Sequence, residues 1–237
     1  MFNKKPKFIN NFSLFLFFVI FGITFSNSYF EAEYFYEKQI TLLNSQVNES
    51  SNRTKQIIDT KLQMMDQYSQ EFFENIDLSS NILNSRVKIE EYFAHNFNQN
   101  LGVFQQRILD KNGAEIIRVD YKDSATITPQ NKLQDKSSRD YVQMGFNQPY
   151  LDVGFSSIDL NIEHGEIEKP YKPTVRSMIK FENFDKDYIL VINFDLTKVL
   201  SVAAESKIYD IFLVEPYNLQ INFHQNPNYF FAKQLNR

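Results

Sequence analysis

The sequence predicts an α+β protein: an N-terminal transmembrane helix, a long membrane-proximal helix, an antiparallel sheet module and the truncated start of a second sheet module. Three observations carry that prediction. Residues 8–30 hold no charged side chain. Residues 31–73 contain neither proline nor glycine and repeat apolar side chains at helical spacing. From residue 103 onward, short alternating runs punctuated by Asn, Asp, Gly and Pro take over, the pattern of strands and turns.

The uncharged run is long enough for a helix to cross a bilayer, which takes about 20 residues. Lys4, Lys5 and Lys7 precede it and Glu31 and Glu33 follow, which places the N-terminus in the cytoplasm. A cleaved signal peptide is the competing reading. No small-x-small cleavage pattern stands near Ser26-Asn27-Ser28, and a helical segment continues beyond it, so an uncleaved anchor is expected. In the long helix, Ile40, Leu43, Val47, Ile57, Leu62, Met65 and Phe72 form a narrow stripe that can pack on its own domain and pair with a second copy. Asp77 or Ser79 is the expected cap of a second helix over residues 81–97, with Ile82, Leu83, Val87, Ile89, Tyr92 and Phe93 facing a core.

Residues 103–109 and 115–121 flank Asn112-Gly113, which predicts a hairpin with a two-residue type I′ turn. That register sets Leu109 opposite Ile116, Ile108 opposite Ile117, Arg107 opposite Arg118 and Phe104 opposite Tyr121. One face is then apolar (Phe104, Ile108, Ile117, Val119, Tyr121). The other sets two arginines face to face, which destabilises a hairpin unless negative charge lies between them. Carboxylates of the 159–168 loop or a bound anionic ligand would meet that need. Further strands are expected over residues 150–155, 175–181 and 188–195. A short helix capped by Ser137 or Ser138 is expected over residues 139–144, and another over 197–205. Strands over 208–214 and 219–223, around a turn at 215–218, would open a second unit too short to bury a core of its own. The chain therefore reads as truncated.

Composition excludes several functions. The net charge of −4 argues against nucleic-acid binding, and the absence of cysteine removes disulfides, thiol nucleophiles and thiolate metal sites. Asp159-x-Asn161-x-Glu163 fails the calcium-loop pattern, because His164 stands where glycine is needed and Pro170 where glutamate is. Neither a histidine metal spacing nor a nucleotide or nucleophile-elbow motif occurs, so no catalytic residue, metal or cofactor is expected. What remains is residues 152–173, a loop crowded with Asp, Asn, Glu, His and Lys beside strands, which suits recognition.

Residues within these segments resemble a known family. Ser137-Ser138-Arg139-Asp140-Tyr141 is similar to the S-x-R-x-Y stretch that enters the ligand-facing helix of double Cache (PAS-like) sensors on bacterial receptors. Ser156-Ser157-Ile158-Asp159-Leu160-Asn161, Glu163-His164-Gly165 and Pro173-Thr174-Val175-Arg176 resemble the same sensors, most of all those of histidine kinases. Ser177-Met178-Ile179-Lys180 and the glycine-free turn at 183–187 depart from the family pattern. The resemblance implies an extracytoplasmic sensor with Arg139, Tyr141, Asp159, Asn161 and Arg176 at its ligand pocket, joined by Arg107 and Arg118 on the hairpin argument. Arg176–Asp159 and Arg118–Glu163 could instead be internal ion pairs. The expected layout is an anchor to residue 30, helices over 31–98, a membrane-distal Cache-like module over 99–203 and a second module from 204. The expected setting is the bacterial inner membrane, single-pass, with residues from about 31 outside the cytoplasm. Expected partners are a small ligand or a periplasmic protein, the membrane, and a second copy through the long helix. Kinase, diguanylate cyclase or chemoreceptor output would lie in a missing cytoplasmic part. The alternative function is a docking module without a pocket.

Overall fold

The computed structural model describes residues 7–206, 209–215 and 219–236. Lys4 and Lys5, the first residue of the expected strand at 208–214, and the turn at 216–218 lie outside them. The chain forms two compact units that divide after Asn52.

The first unit is the N-terminal part of one helix, α1 (Lys7–Glu74), the one helix among the described residues long and apolar enough to cross a membrane. Its phenylalanines from Phe12 to Phe25 are all exposed, which suits a lipid environment. Ile40, Leu43 and Val47 are exposed as well.

The second unit is α+β. It begins with the last part of α1 and continues through α2 (Ile82–His95), β1 (Val103–Asp110), β2 (Glu115–Tyr121), β3 (Ala125–Ile127) and α3 (Asp140–Phe146). Then come β4 (Val153–Phe155), β5 (Asp159–Leu160), β6 (Ile162–Glu163), β7 (Glu166–Ile167), β8 (Pro173–Glu182), β9 (Asp187–Asp195), α4 (Thr197–Ala203), β10 (Leu213–Val214) and β11 (Ile221–Phe223). The main sheet is antiparallel in the order β3-β2-β1-β9-β8-β4, with β5 also paired to β8. Helices cover both faces. On one, Met65 and Phe72 of α1 and Ile82, Ile89 and Phe93 of α2 bury against Ile108, Ile117, Val175, Ile179, Leu190 and Ile192. Each such side chain contributes about 1.5–3 kcal/mol through burial. On the other, Tyr141 and Val142 of α3 pack against Leu109, Met178, Ile189 and Val191. Gly145 allows that approach, since a Cβ there would sit 3.2 Å from Ile189.

Two polar ties fix α1 on the sheet. The buried Ser69 hydroxyl lies 2.7 Å from both the Ser177 hydroxyl and the Met65 carbonyl. Tyr68 Oη donates to the Asn96 carbonyl (2.6 Å) and accepts from Gln106 Nε2 (2.9 Å).

Several local expectations are corrected. Neither Asp77 nor Ser79 caps α2. Asn81 does, its side chain accepting from Leu83 N at 3.0 Å, while Asp77 turns back onto Ser79. A second cap comes from far along the chain: Asn183 Oδ1 accepts from Ile82 N (3.1 Å) and its amide donates to the carbonyls of Leu78 and Ser80. Leu83 and Val87 are exposed and Ser85 is buried, because a cap at Asn81 sets the helix phase on Ile82, Ile89 and Phe93. Helix α3 starts at Asp140 without a serine cap; Ser137 N donates instead to Asp135 Oδ1. The strand expected from residue 150 begins at Val153, after Leu151 at φ 67°, a left-handed conformation that no strand continues through.

The hairpin pairs Arg107 with Arg118 and Ile108 with Ile117 as expected, but its turn is different. Only Gly113 takes positive φ (83°); Gly113 N donates to the Asp110 carbonyl, giving a three-residue loop with a bulge in place of a type I′ turn. Asp110 Oδ1 accepts from both Asn112 N and Ala114 N and stabilises that form. The bulge sets Leu109 opposite Glu115 rather than Ile116. A second irregularity against β9, between Val103 and Gln105, interrupts the alternation, so Phe104 leaves the core face and lies under Lys172 Nζ, 4.1 Å from its ring centre. Doubly left-handed turns occur instead at Phe184-Asp185 (φ 52° and 59°), joining β8 to β9, and at His164-Gly165, joining β6 to β7.

Candidate functional site

The sheet face that carries α3 holds two adjoining groups of charged side chains. β1 and β2 present Arg107 and Arg118 side by side, and β2 begins with Glu115 between them. Arg107 Nη1 lies 3.2 Å from Glu115 Oε1, and Arg118 Nη1 lies 3.6 Å from the same oxygen. The short β6–β7 hairpin turns at His164-Gly165, both at positive φ, and lowers Glu163 onto the same spot. Glu163 reaches Arg118 at 2.8 Å, Lys136 at 3.3 Å and Arg107 at 3.6 Å. Asp120 completes the group against Arg118 Nε at 2.9 Å, and Gln105 Nε2 donates to Asp120 at 2.6 Å. The negative charge needed between opposed arginines is thus supplied by the protein itself.

Burial alone would raise the Glu163 carboxyl, but Arg107, Arg118 and Lys136 outweigh it and hold the group well below its ordinary 4.5. Burial pushes the Lys136 ammonium down, Arg107 adds to the effect, and the carboxylates offset only part; it stands at about 8 against an ordinary 10.5. Burial also works against the Arg118 charge, and Asp120 and Glu163 more than compensate, raising it.

The second group borders a cavity of about 590 Å³. Helix α3 supplies Tyr141 and Met144, with Arg139 at its N-terminal edge; the segment leading into β5 supplies Ser156, Ile158 and Asp159; β8 supplies Arg176. Asp159 bridges two guanidinium groups, accepting from Arg139 Nη2 at 2.8 Å and from Arg176 Nη1 at 2.7 Å. Arg176 is 2% exposed, lies 4.7 Å from the Tyr141 ring centre, and leaves its buried Nε without a partner. Desolvation lowers its pKa, against Asp159 and Tyr141. Tyr141 links the two groups, because its hydroxyl accepts from Arg107 Nη1 at 3.2 Å.

Of the seven residues singled out from sequence, Arg139, Tyr141, Asp159 and Arg176 line the cavity. Arg107, Arg118 and Asn161 do not. The two arginines are held by carboxylates behind the cavity wall, and Asn161 is buried, its amide donating to Glu168 at 2.8 Å. Both internal pairs weighed above are present, Arg176–Asp159 at 2.7 Å and Arg118–Glu163 at 2.8 Å. Sequence reasoning gave Glu115 and Lys136 no site role, although both stand beside residues to which it gave one. It also missed the cavity wall formed by Gln220, Lys233 and Gln234. Gln234 is clamped there: its Oε1 accepts from Leu160 N (2.8 Å) and its Nε2 donates to the Leu160 carbonyl (3.0 Å). No local pattern signals a contact 74 residues apart. Among the described residues, no group of three or more His, Asp or Glu side chains is placed to hold a metal ion.

Comparison with known proteins fits this geometry. The structure resembles the extracellular domain of vpHK1S-Z8, a protein classed as a histidine kinase, with a TM-score of 0.55 at 20% identity over 65% of this chain. The match spans 57% of that structure's length. A domain of a protein assigned to the sensory box/GGDEF family of Vibrio parahaemolyticus gives 0.56 at 18% identity, covering 77% of this chain and 76% of the other. The sensory domain of the Campylobacter jejuni chemoreceptor Tlp3, solved with isoleucine bound, gives 0.54 at 13% identity over 82% and 74%. At these identities the likeness establishes the fold. No curated protein matches the chain in sequence. A family model describing the sensor domain of bacterial histidine kinases matches residues 49–207, which include α2, both charged groups and the whole main sheet. The chain belongs to that family: residues 49–207 form a bacterial histidine kinase sensor domain.

Proposed function

We propose that a small molecule binds in the cavity between α3, the segment around Asp159 and β8, and that this is the signal the receptor reads. One observation carries the reading. An almost fully buried arginine, Arg176, borders the cavity and shares its one carboxylate, that of Asp159, with Arg139. The same cavity favours a ligand over the docking alternative, for which filled space beneath a flat loop would be expected. Tlp3 is a chemoreceptor solved with isoleucine and with L-valine, which supports a ligand of amino-acid size.

In this reading residues 99–203 form the membrane-distal module and residues from 204 open a second one. The apolar run at residues 8–30 anchors the receptor in the inner membrane with residues from about 31 outside the cytoplasm. Ile40, Leu43 and Val47, at spacings of three and four, form the seam with a second copy. Membership of the histidine kinase family favours a kinase output, located in another part of the receptor, over a cyclase or chemoreceptor output. A ligand acts only through its different affinity for two poses of the protein.

The test uses the full chain in lipid nanodiscs, screened by thermal unfolding against small acids, amines, sugars and amino acids. A ligand at 100 times its Kd stabilises by about 2.7 kcal/mol, and Arg176→Met should abolish the shift. A hit whose shift survives Arg176→Met would place binding elsewhere. The sequence contains no cysteine, so Leu43→Cys gives a clean crosslinking probe of the helix seam. Disulfide dimers in membranes are expected; monomer alone would remove the second copy from this reading.

A further inference from the structure

The charge around the cavity does not close. In the neighbouring group, Arg107, Arg118 and Lys136 meet Glu115, Asp120 and Glu163, three against three. Beside the cavity, Arg139 and Arg176 share the single carboxylate of Asp159, which leaves one positive charge over. Two further charged residues line the mouth, Asp140 and Lys233. Both are exposed, and neither side chain has an ion-pair partner among the described residues. They cancel each other in sign, so the excess of one stands.

The rest of the lining is mostly hydroxyl and amide, with Met144 and Ile158 the main aliphatic surfaces. A branched aliphatic side chain would desolvate those polar groups without pairing them, at a cost in free energy. A second anionic group would instead find Lys233 at the mouth, while the first meets Arg176 and Arg139 inside. Guanidinium groups suit carboxylates in particular, through paired N–H donors.

We infer that the ligand is a small dicarboxylate, an acidic amino acid or a plain dicarboxylic acid, and that Lys233 selects for its second carboxylate. This rests on the reading that the cavity binds a ligand. It assigns the excess charge and the cation at the mouth to one occupant. The two sources of that chemistry differ at Asp140, which offers an ammonium a partner and a plain diacid none.

The experiment is calorimetric titration of the full chain in nanodiscs with L-glutamate, L-aspartate, succinate, L-malate, L-valine and L-isoleucine. At least one of the four dicarboxylates should bind ten-fold or more tightly than either branched amino acid. Lys233→Glu should weaken that binding at least ten-fold with the melting temperature unchanged, because Lys233 is exposed and unpaired. L-glutamate or L-aspartate binding without succinate or L-malate assigns the amino acid, and the reverse assigns the diacid; either outcome supports the inference. L-valine or L-isoleucine binding as tightly as any dicarboxylate overturns it and leaves the cavity reading standing. Dicarboxylate affinity unchanged in Lys233→Glu overturns the selecting role of Lys233. Six flat titrations overturn the inference and leave the cavity reading to the wider screen of amines and sugars.

Discussion

The two charged groups on the α3 face are built from the same residue types and differ in one number, carboxylates per cation. Around Glu163 each positive charge has a negative one within 3.6 Å, and the hairpin at 162–167 lies over them. Around Asp159 two guanidiniums share one carboxylate, and a cavity of about 590 Å³ lies beside them. An arginine on a sheet is therefore not a ligand contact by virtue of being there. Arg107 and Arg118 form part of the scaffold, and through the Tyr141 hydroxyl Arg107 helps hold the cavity wall. Arg139 and Arg176 are half-neutralised, and on the proposed reading a ligand supplies the rest.

The sharpest way to break this contrast is Glu163→Gln. It leaves three cations against Glu115 and Asp120 in a buried setting, and removing one partner from such a group costs about 3–5 kcal/mol. Urea unfolding of the full chain should show that loss, and a loss below 1 kcal/mol would mean that the closed group is not a scaffold. Gly113→Ala attacks the same group through the backbone. Gly113 sits at φ 83°, and a Cβ there would lie 2.6 Å from Ser137 Cα, disturbing the segment whose Lys136 N donates to the Gly113 carbonyl. A loss of about 1–3 kcal/mol is expected. Asp159→Asn should be milder, about 1–2 kcal/mol, because water already reaches that carboxylate. Affinity for an anionic ligand should rise in that variant, and a fall would show that the carboxylate itself contacts the ligand.

The pH dependence reads two members of the closed group, Glu163 and Lys136. Glu163 is held below 4.5 in the fold, so its contribution is complete above about 4.5 and is lost as pH falls through the lower folded value. Lys136 is depressed to about 8 from 10.5, so between those values the unfolded chain keeps a proton that the folded one has released. Stability should rise with pH across that window, and Lys136→Met should remove the rise. A rise that persists in the variant would exclude Lys136 as its source.

The long periodic helices, the strands β1, β2, β8 and β9 and the Arg107–Arg118 pairing were legible in sequence because each is a local pattern, whereas the strand expected over 208–214 is confined to Leu213–Val214 among the described residues. Four of the seven residues named from sequence, Arg139, Tyr141, Asp159 and Arg176, line one cavity in the fold. What failed was competition among similar residues. Asp77, Ser79 and Asn81 are all good caps, and the choice falls to Asn183, some hundred residues away, which fixes where α2 starts. Asn112-Gly113 favours a type I′ turn on its own, but the Asp110 side chain accepts two backbone N–H groups and selects the bulged form. Gln234 and Lys233 reach the cavity only through tertiary packing, which no spacing records.

The hydroxyl pair Ser69–Ser177 has a mechanical consequence. It is a polar pin through an otherwise hydrocarbon layer, and it works at one axial setting only. Sliding α1 by a helical turn, about 5.4 Å, would strand the Ser177 hydroxyl among apolar side chains and also part Tyr68 from Gln106 and the Asn96 carbonyl. Each orphaned group costs about 1–3 kcal/mol. A piston stroke of that length is therefore the motion this joint resists most, while small rotations or tilts about the pin leave both hydroxyls in reach.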